Sequence, residues 1–68
     1  MEVRLWRARW RRDRIDALLH RAGSGWELRF LWNERPLIAR RYARAQTARA
    51  EAAAKLRDLE RSGWISHW

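Results

Sequence analysis

The stretch DRIDALLHRA, residues 13–22, decides the fold. Ile15, Leu18, Leu19 and Ala22 lie on one stripe of a helix, with Asp13 placed to cap it. As a strand, Ile15, Ala17 and Leu19 alternate with Asp16, Leu18 and His20. Local periodicity favours the helix, but a short apolar run fits either state. A helix here gives the order strand, helix, strand, strand, helix, strand, with Val3 to Trp10 first and Trp64 to Trp68 last. That is the split βαβ, ferredoxin-like order. A strand here gives an α+β fold, an antiparallel meander of three or four strands closed by one C-terminal helix. Arg11 to Asp13 is then a turn and Ala22 to Gly25 a hairpin loop.

The neighbouring segments are clearer. In WELRFLW, residues 26–32, Trp26, Leu28, Phe30 and Trp32 alternate with Glu27, Arg29 and Leu31, the period of a strand with one buried face. Asn33 to Pro36 supplies turn formers. In LIARRYAR, residues 37–44, Ile38 and Tyr42 share a face, two residues to either side of Arg40, so 26–42 forms a hairpin. TARAEAAAKLRDLERS, residues 47–62, is Ala-rich and lacks Gly and Pro, which predicts a helix. Thr47 is its expected N-cap and Glu51 its early carboxylate. Ala48, Ala52, Leu56 and Leu59 mark its buried stripe. Gly63 supplies a left-handed stop, and Trp64 then folds back towards Leu59 in a Schellman motif.

The run from Gly25 to Trp64 resembles small bacterial domains of unknown function. Those carry a strand–turn–strand with an Asn-containing turn, a basic second strand, and an Ala/Glu-rich helix ending in Gly-Trp. The layout also resembles the three-stranded sheet plus helix of integrase arm-binding and plant AP2-type DNA-binding domains. That resemblance implies DNA contact by the exposed sheet face, and it is one of fold. This chain departs at its turn, where Asn33-Glu34 stands in place of the usual Gly. The resemblance selects the meander over the ferredoxin-like order.

Composition bounds the function. With 68 residues the chain suffices for one domain with a small core. It has no cysteine, which excludes disulfides, thiolate zinc sites and a cysteine nucleophile. Nothing in it spans a membrane, and arginines interrupt the apolar residues of MEVRLWRARWRR, so no signal peptide is expected and cytoplasm is the expected compartment. His20 and His67 are unpaired in the sequence, so no metal or cofactor is expected. Ser24, in Gly23-Ser24-Gly25, lacks a general base and suits a hairpin loop. The loop also lacks the spacing and lysine of a phosphate-binding loop. Asp13 and Asp16 suit turn and surface positions. The chain is therefore not expected to be an enzyme, and no small-molecule substrate is evident.

The formal charge is +8, carried by 15 Arg and Lys55 against eight acids. The Arg-over-Lys bias, beside many Ala, is what a GC-rich genome produces; it does not account for the net charge. Residues 1–14 carry +4, residues 36–50 carry +4, and the segments between and after them are neutral. If the fold joins the two basic segments, they form one positive patch that attracts phosphate. The expected contacts are Arg29 and Arg41 at the centre, flanked by Arg4, Arg7 and Arg9, with Arg40 and Arg44 completing the cluster. The bland reading is a solvated sheet face whose charges block edge association.

Six Trp in a chain this short supply core area. Trp26 and Trp32 belong to the core and Trp64 to the helix end. Trp6 and Trp10, four apart on a strand, pack in the core or a dimer; if exposed among arginines, they stack on bases. Trp68 is ambiguous in the same way. The expected function is a small non-catalytic module contacting nucleic acid, DNA or RNA, through an Arg-rich open sheet face. The alternative is a protein-interaction or homodimeric module whose partner buries the surplus aromatics. Adsorption to an anionic membrane ranks last, because an Ala stripe inserts poorly.

Overall fold

The computed structural model describes residues 1–66, and in it 13–22 is a strand. The chain runs β1 (Glu2–Trp10), β2 (Asp13–Ala22), β3 (Gly25–Trp32), β4 (Arg35–Tyr42), α1 (Ala45–Arg61) and a short β5 (Ile65–Ser66). The sheet is antiparallel, in the order β4-β3-β2-β1-β5, with α1 across one face. This is the expected α+β meander with its C-terminal helix; the ferredoxin-like alternative fails because its first helix is β2. Helical periodicity in 13–22 is overridden by pairing on both sides. Ala17 and Leu19, both buried, face the helix, while Asp16, Leu18 and His20 face away. Of the expected last strand, Ile65 and Ser66 pair with β1; His67 and Trp68 lie outside the described residues.

Three two-residue turns join the four long strands. Asn33 and Glu34 both take positive φ, 50° and 70°, as a type I′ hairpin requires. The turn is thus shorter than the Asn33 to Pro36 span expected: Arg35 and Pro36 already belong to β4, with Arg35 opposite Trp32. Asn33 suits its position because it also grips β2. Its Oδ1 accepts from the Arg14 N–H at 2.9 Å, its own N–H donates to the Arg14 carbonyl at 2.8 Å, and its Nδ2 donates to Asp13 Oδ1 at 3.1 Å.

Two β-bulges set which side chains share a face. Arg4 lies opposite Leu18 but Trp6 opposite Ala17, leaving Leu5 as an extra residue in β1. Phe30 lies opposite Ile38 but Leu31 opposite Pro36, leaving Leu37 extra in β4. Leu5 and Trp6 consequently both face the helix, as do Leu37 and Ile38.

The core joins Trp6, Ala8, Ile15, Ala17, Leu19, Leu28 and Phe30 of the sheet to Ala48 and Ala52 of the helix. With only methyl groups at Ala8, Ala17, Ala48 and Ala52, the helix lies close to the sheet. Trp6 Nε1 then reaches the Ala52 carbonyl at 2.8 Å. Leu56 and Leu59 continue the expected stripe at the edge of the core.

The helix begins two residues before Thr47. Arg44 is the N-cap position, with no side-chain cap, and no acid stands in the first turn, so neither Thr47 nor Glu51 has its expected role. Tyr42 and Ala45 pack against the core and turn the chain over the sheet there, so tertiary packing outweighs the cap. The other end matches expectation. Gly63 has φ 103°, its N–H donates to the Glu60 carbonyl at 3.1 Å, and the Trp64 N–H donates to the Leu59 carbonyl at 3.0 Å. Trp64 then meets Trp10 and Trp32, with ring centroids 5.9 and 6.2 Å apart.

Candidate nucleic-acid interface

The face opposite the helix is built by strand register. One row across it reads Glu2, His20, Glu27, Arg41; the next reads Arg4, Leu18, Arg29, Ala39. A third reads Arg7, Asp16, Leu31, Pro36, and near the β1–β2 turn Arg9 stands beside Arg14. Adjacent strands are about 4.8 Å apart, and residues two apart on a strand about 6.8 Å. Arg4, Arg7 and Arg9 therefore form a stripe down β1.

Several of these arginines are already engaged. Arg29, the expected centre of the patch, bonds Glu2, and its Nε lies 3.7 Å from Glu27. Arg7 Nε donates to Asp16 Oδ1 at 2.6 Å, and Arg14 Nε lies 3.3 Å from Asp16 Oδ2. Asp16 is only 4% exposed, a carboxylate held under two guanidiniums. Arg14 also donates to Glu34 Oε2 at 2.7 Å. That hydrogen bond raises the Arg14 guanidinium above its ordinary value; desolvation opposes the shift, and the Asp16 and Glu34 charges reinforce it. His20 lies between two acids, with Nδ1 3.8 Å from Glu2 and Nε2 3.3 Å from Glu27.

The two basic segments do not merge. β1 and β4 are separated by β2 and β3. Arg41 is on the open face beyond the Glu27–His20–Glu2 row, Arg40 faces the helix side in register with Leu28, and Arg44 sits at the helix start. Arg40 and Arg44 therefore lie outside the open face, contrary to expectation.

The aromatic residues are displaced as well. Trp6 is 3% exposed and committed to the core, so it is withdrawn from the interface. Trp10 is exposed, at 38%, but lies on the helix side, between Trp64 and the Arg11 guanidinium, which lies 4.3 Å from its ring centroid. Phe30, Trp26, Trp32 and Tyr42 share that side. Among the described residues the open face carries no Trp, Tyr or Phe, and its one aromatic ring is the His20 imidazole between Glu2 and Glu27.

Half of the basic surplus stands on the β1–β2 hairpin. Arg9, Arg11, Arg12 and Arg14 surround a shallow hollow of about 260 Å³ that also touches Asp13, Asn33 and Glu34. Arg11 and Arg12 form the two-residue turn, with Arg11 at φ 58°. Among the described residues, Arg4, Arg9, Arg11 and Arg12 have no carboxylate partner. Arg11, Arg12 and Arg14 were not among the expected contacts. The signal for them was the density of Arg in RWRRDR, residues 9–14, once that run is seen as a hairpin tip.

Comparison of the chain with protein families, with characterised proteins and with solved structures returns no match.

Proposed function

We propose that the chain is a small non-catalytic module that binds the sugar–phosphate backbone of a nucleic acid duplex through the β1–β2 hairpin and the adjoining open sheet face. The observation that carries this reading is the concentration of Arg4, Arg9, Arg11 and Arg12 on one hairpin without carboxylate partners. Their side chains reach phosphate without first breaking an ion pair. No Trp, Tyr or Phe stands with Arg4 and Arg9 on the open face among the described residues, and the Trp10 ring beside Arg11 packs against Trp64 on the helix side, which favours backbone contact over base stacking. Binding of this kind is insensitive to sequence.

Fluorescence anisotropy with a random duplex tests it. Neutralising about four phosphates gives a slope of log K against log salt near −3.6. No binding at low salt, or binding that ignores salt, overturns the reading.

A further inference from the structure

The opposite edge of the sheet carries a second surface of different chemistry. Among the described residues β4 is an edge strand with no neighbour beyond it. Because Leu37 is the bulge residue, Leu37 and Ile38 both point to the helix side, where they are 50% and 42% exposed. The helix crosses towards β1 and does not cover them. Between β4 and α1 lies a predominantly apolar hollow of about 190 Å³, lined by Ile15, Phe30, Leu37, Ile38, Leu59 and the Lys55 stem. It shares Phe30, Ile38 and Lys55 with a hollow reaching Arg40 and Tyr42, and Leu37 with one reaching Trp32 and Arg35. The three form one groove along β4.

The groove's charge selects its occupant. Among the described residues, Arg35, Arg40 and Lys55 stand along it, against Glu51 as the single carboxylate. A nucleic acid backbone satisfies the cations but leaves the apolar floor wet. A second copy of the chain satisfies the floor but not the charge: β4 carries Arg35, Arg40 and Arg41 and no acid, so pairing two β4 strands sets guanidiniums against guanidiniums. We infer that the β4–α1 groove docks an acidic protein segment bearing large apolar side chains, which fill the hollow at Ile38 and Leu59 while carboxylates meet Arg35, Arg40 and Lys55.

The test uses the full chain, isotopically labelled, and a short fluorescent peptide with a pair of leucines set among glutamates. Its controls are the same peptide with serines for leucines, the Ile38→Ser and Lys55→Glu variants, and sedimentation without peptide. Both substituted residues line an open groove, and circular dichroism checks that the variants remain folded. The expected result is NMR shifts at Leu37, Ile38, Lys55 and Leu59 with Arg4, Arg9 and Arg11 unmoved. Each variant, and the serine peptide, binds about tenfold more weakly. Equal binding of both peptides, shifts confined to the β1–β2 hairpin, or no binding overturns the inference. So does self-association that produces the same shifts, which makes a second copy the occupant. Failure here leaves duplex binding untouched, because the Ile38–Leu59 hollow lies on the helix side of β4 and shares no residue with the hollow among Arg9, Arg11, Arg12 and Arg14.

Discussion

The indole nitrogen of Trp6 donates to the main-chain carbonyl of Ala52, 2.8 Å away and buried. This bond ties the bulged part of β1 to the middle of the helix across 46 residues of sequence. Trp6→Phe keeps most of the ring and loses the bond. It is expected to cost about 1–2 kcal/mol, read as a drop in Tm of roughly 4–8 °C per kcal/mol in a domain of this size. Trp6→Ala also opens a cavity and is expected to cost about 3–5 kcal/mol. A Trp6→Phe chain as stable as the parent contradicts this account of the bond.

Asp16 should show effects of opposite sign on stability and on binding. It is the buried carboxylate that holds Arg7 and Arg14. Asp16→Asn leaves Arg7 without a charged partner and Arg14 with Glu34 alone. Stability is expected to fall by about 1–3 kcal/mol, while affinity for a duplex rises and its salt dependence steepens. Denaturant melts and salt titrations on the same preparation measure both. Unchanged duplex affinity in a folded variant argues against these arginines lying at the interface.

Two turn and strand positions give backbone tests. Glu34 holds φ 70° in a turn where glycine is the favoured second residue. Glu34→Gly relieves that conformation and loses an exposed pair with Arg14, so a gain of about 0.5–1 kcal/mol is expected. A thermal melt that moves downward contradicts the strain assignment.

Gly25 is constrained from the other direction. A Cβ built there meets the Tyr42 carbonyl oxygen at 2.8 Å, a contact with backbone that cannot rotate away. Gly25→Ala is expected to cost about 1–3 kcal/mol and to disturb the β3–β4 pairing at Trp26 and Tyr42. Amide exchange at Tyr42 that matches the parent protein excludes that disturbance.

Arginines of the open face should separate by partner. Arg4→Ala and Arg9→Ala each remove an unpaired cation, and each is expected to lower the salt slope for a duplex by about 1. Arg29→Ala removes a cation already shared by Glu2 and Glu27, so the slope should hold nearly constant. Equal losses from all three indicate that binding follows net charge alone.

Much of the architecture is legible in the chain. The alternation in 26–32, the Ala/Leu stripe of α1 and the Gly63-Trp64 stop are local signals, and each corresponds to its element. The helix start is not legible, because packing of Tyr42 and Ala45 decides it over the better cap at Thr47. The interface is legible as charge but not as placement. Linear spacing counts Arg29 and Arg7 as free cations, whereas their neutralisation depends on which residues lie across the strands. Arg40 carries an equally readable charge, yet register puts it on the helix side.

The extra residue in β1 has a consequence for how this chain tolerates change. Counted along an unbroken pleat, Arg4 would keep step with Trp6, Ala8 and Trp10 beneath the helix; Leu5 shifts the phase, so that Arg4 joins Arg7 and Arg9 on the outside. Deleting Leu5 would leave Arg4 and Trp6 as successive residues opposite Leu18 and Ala17, an unbroken pleat that keeps Arg4 outside and Trp6 beneath α1 and loses only the Leu5 side chain from the edge of the core. The strand has a spare residue at this point and none between Trp6 and Trp10, where adding or removing one would turn part of the core face outward.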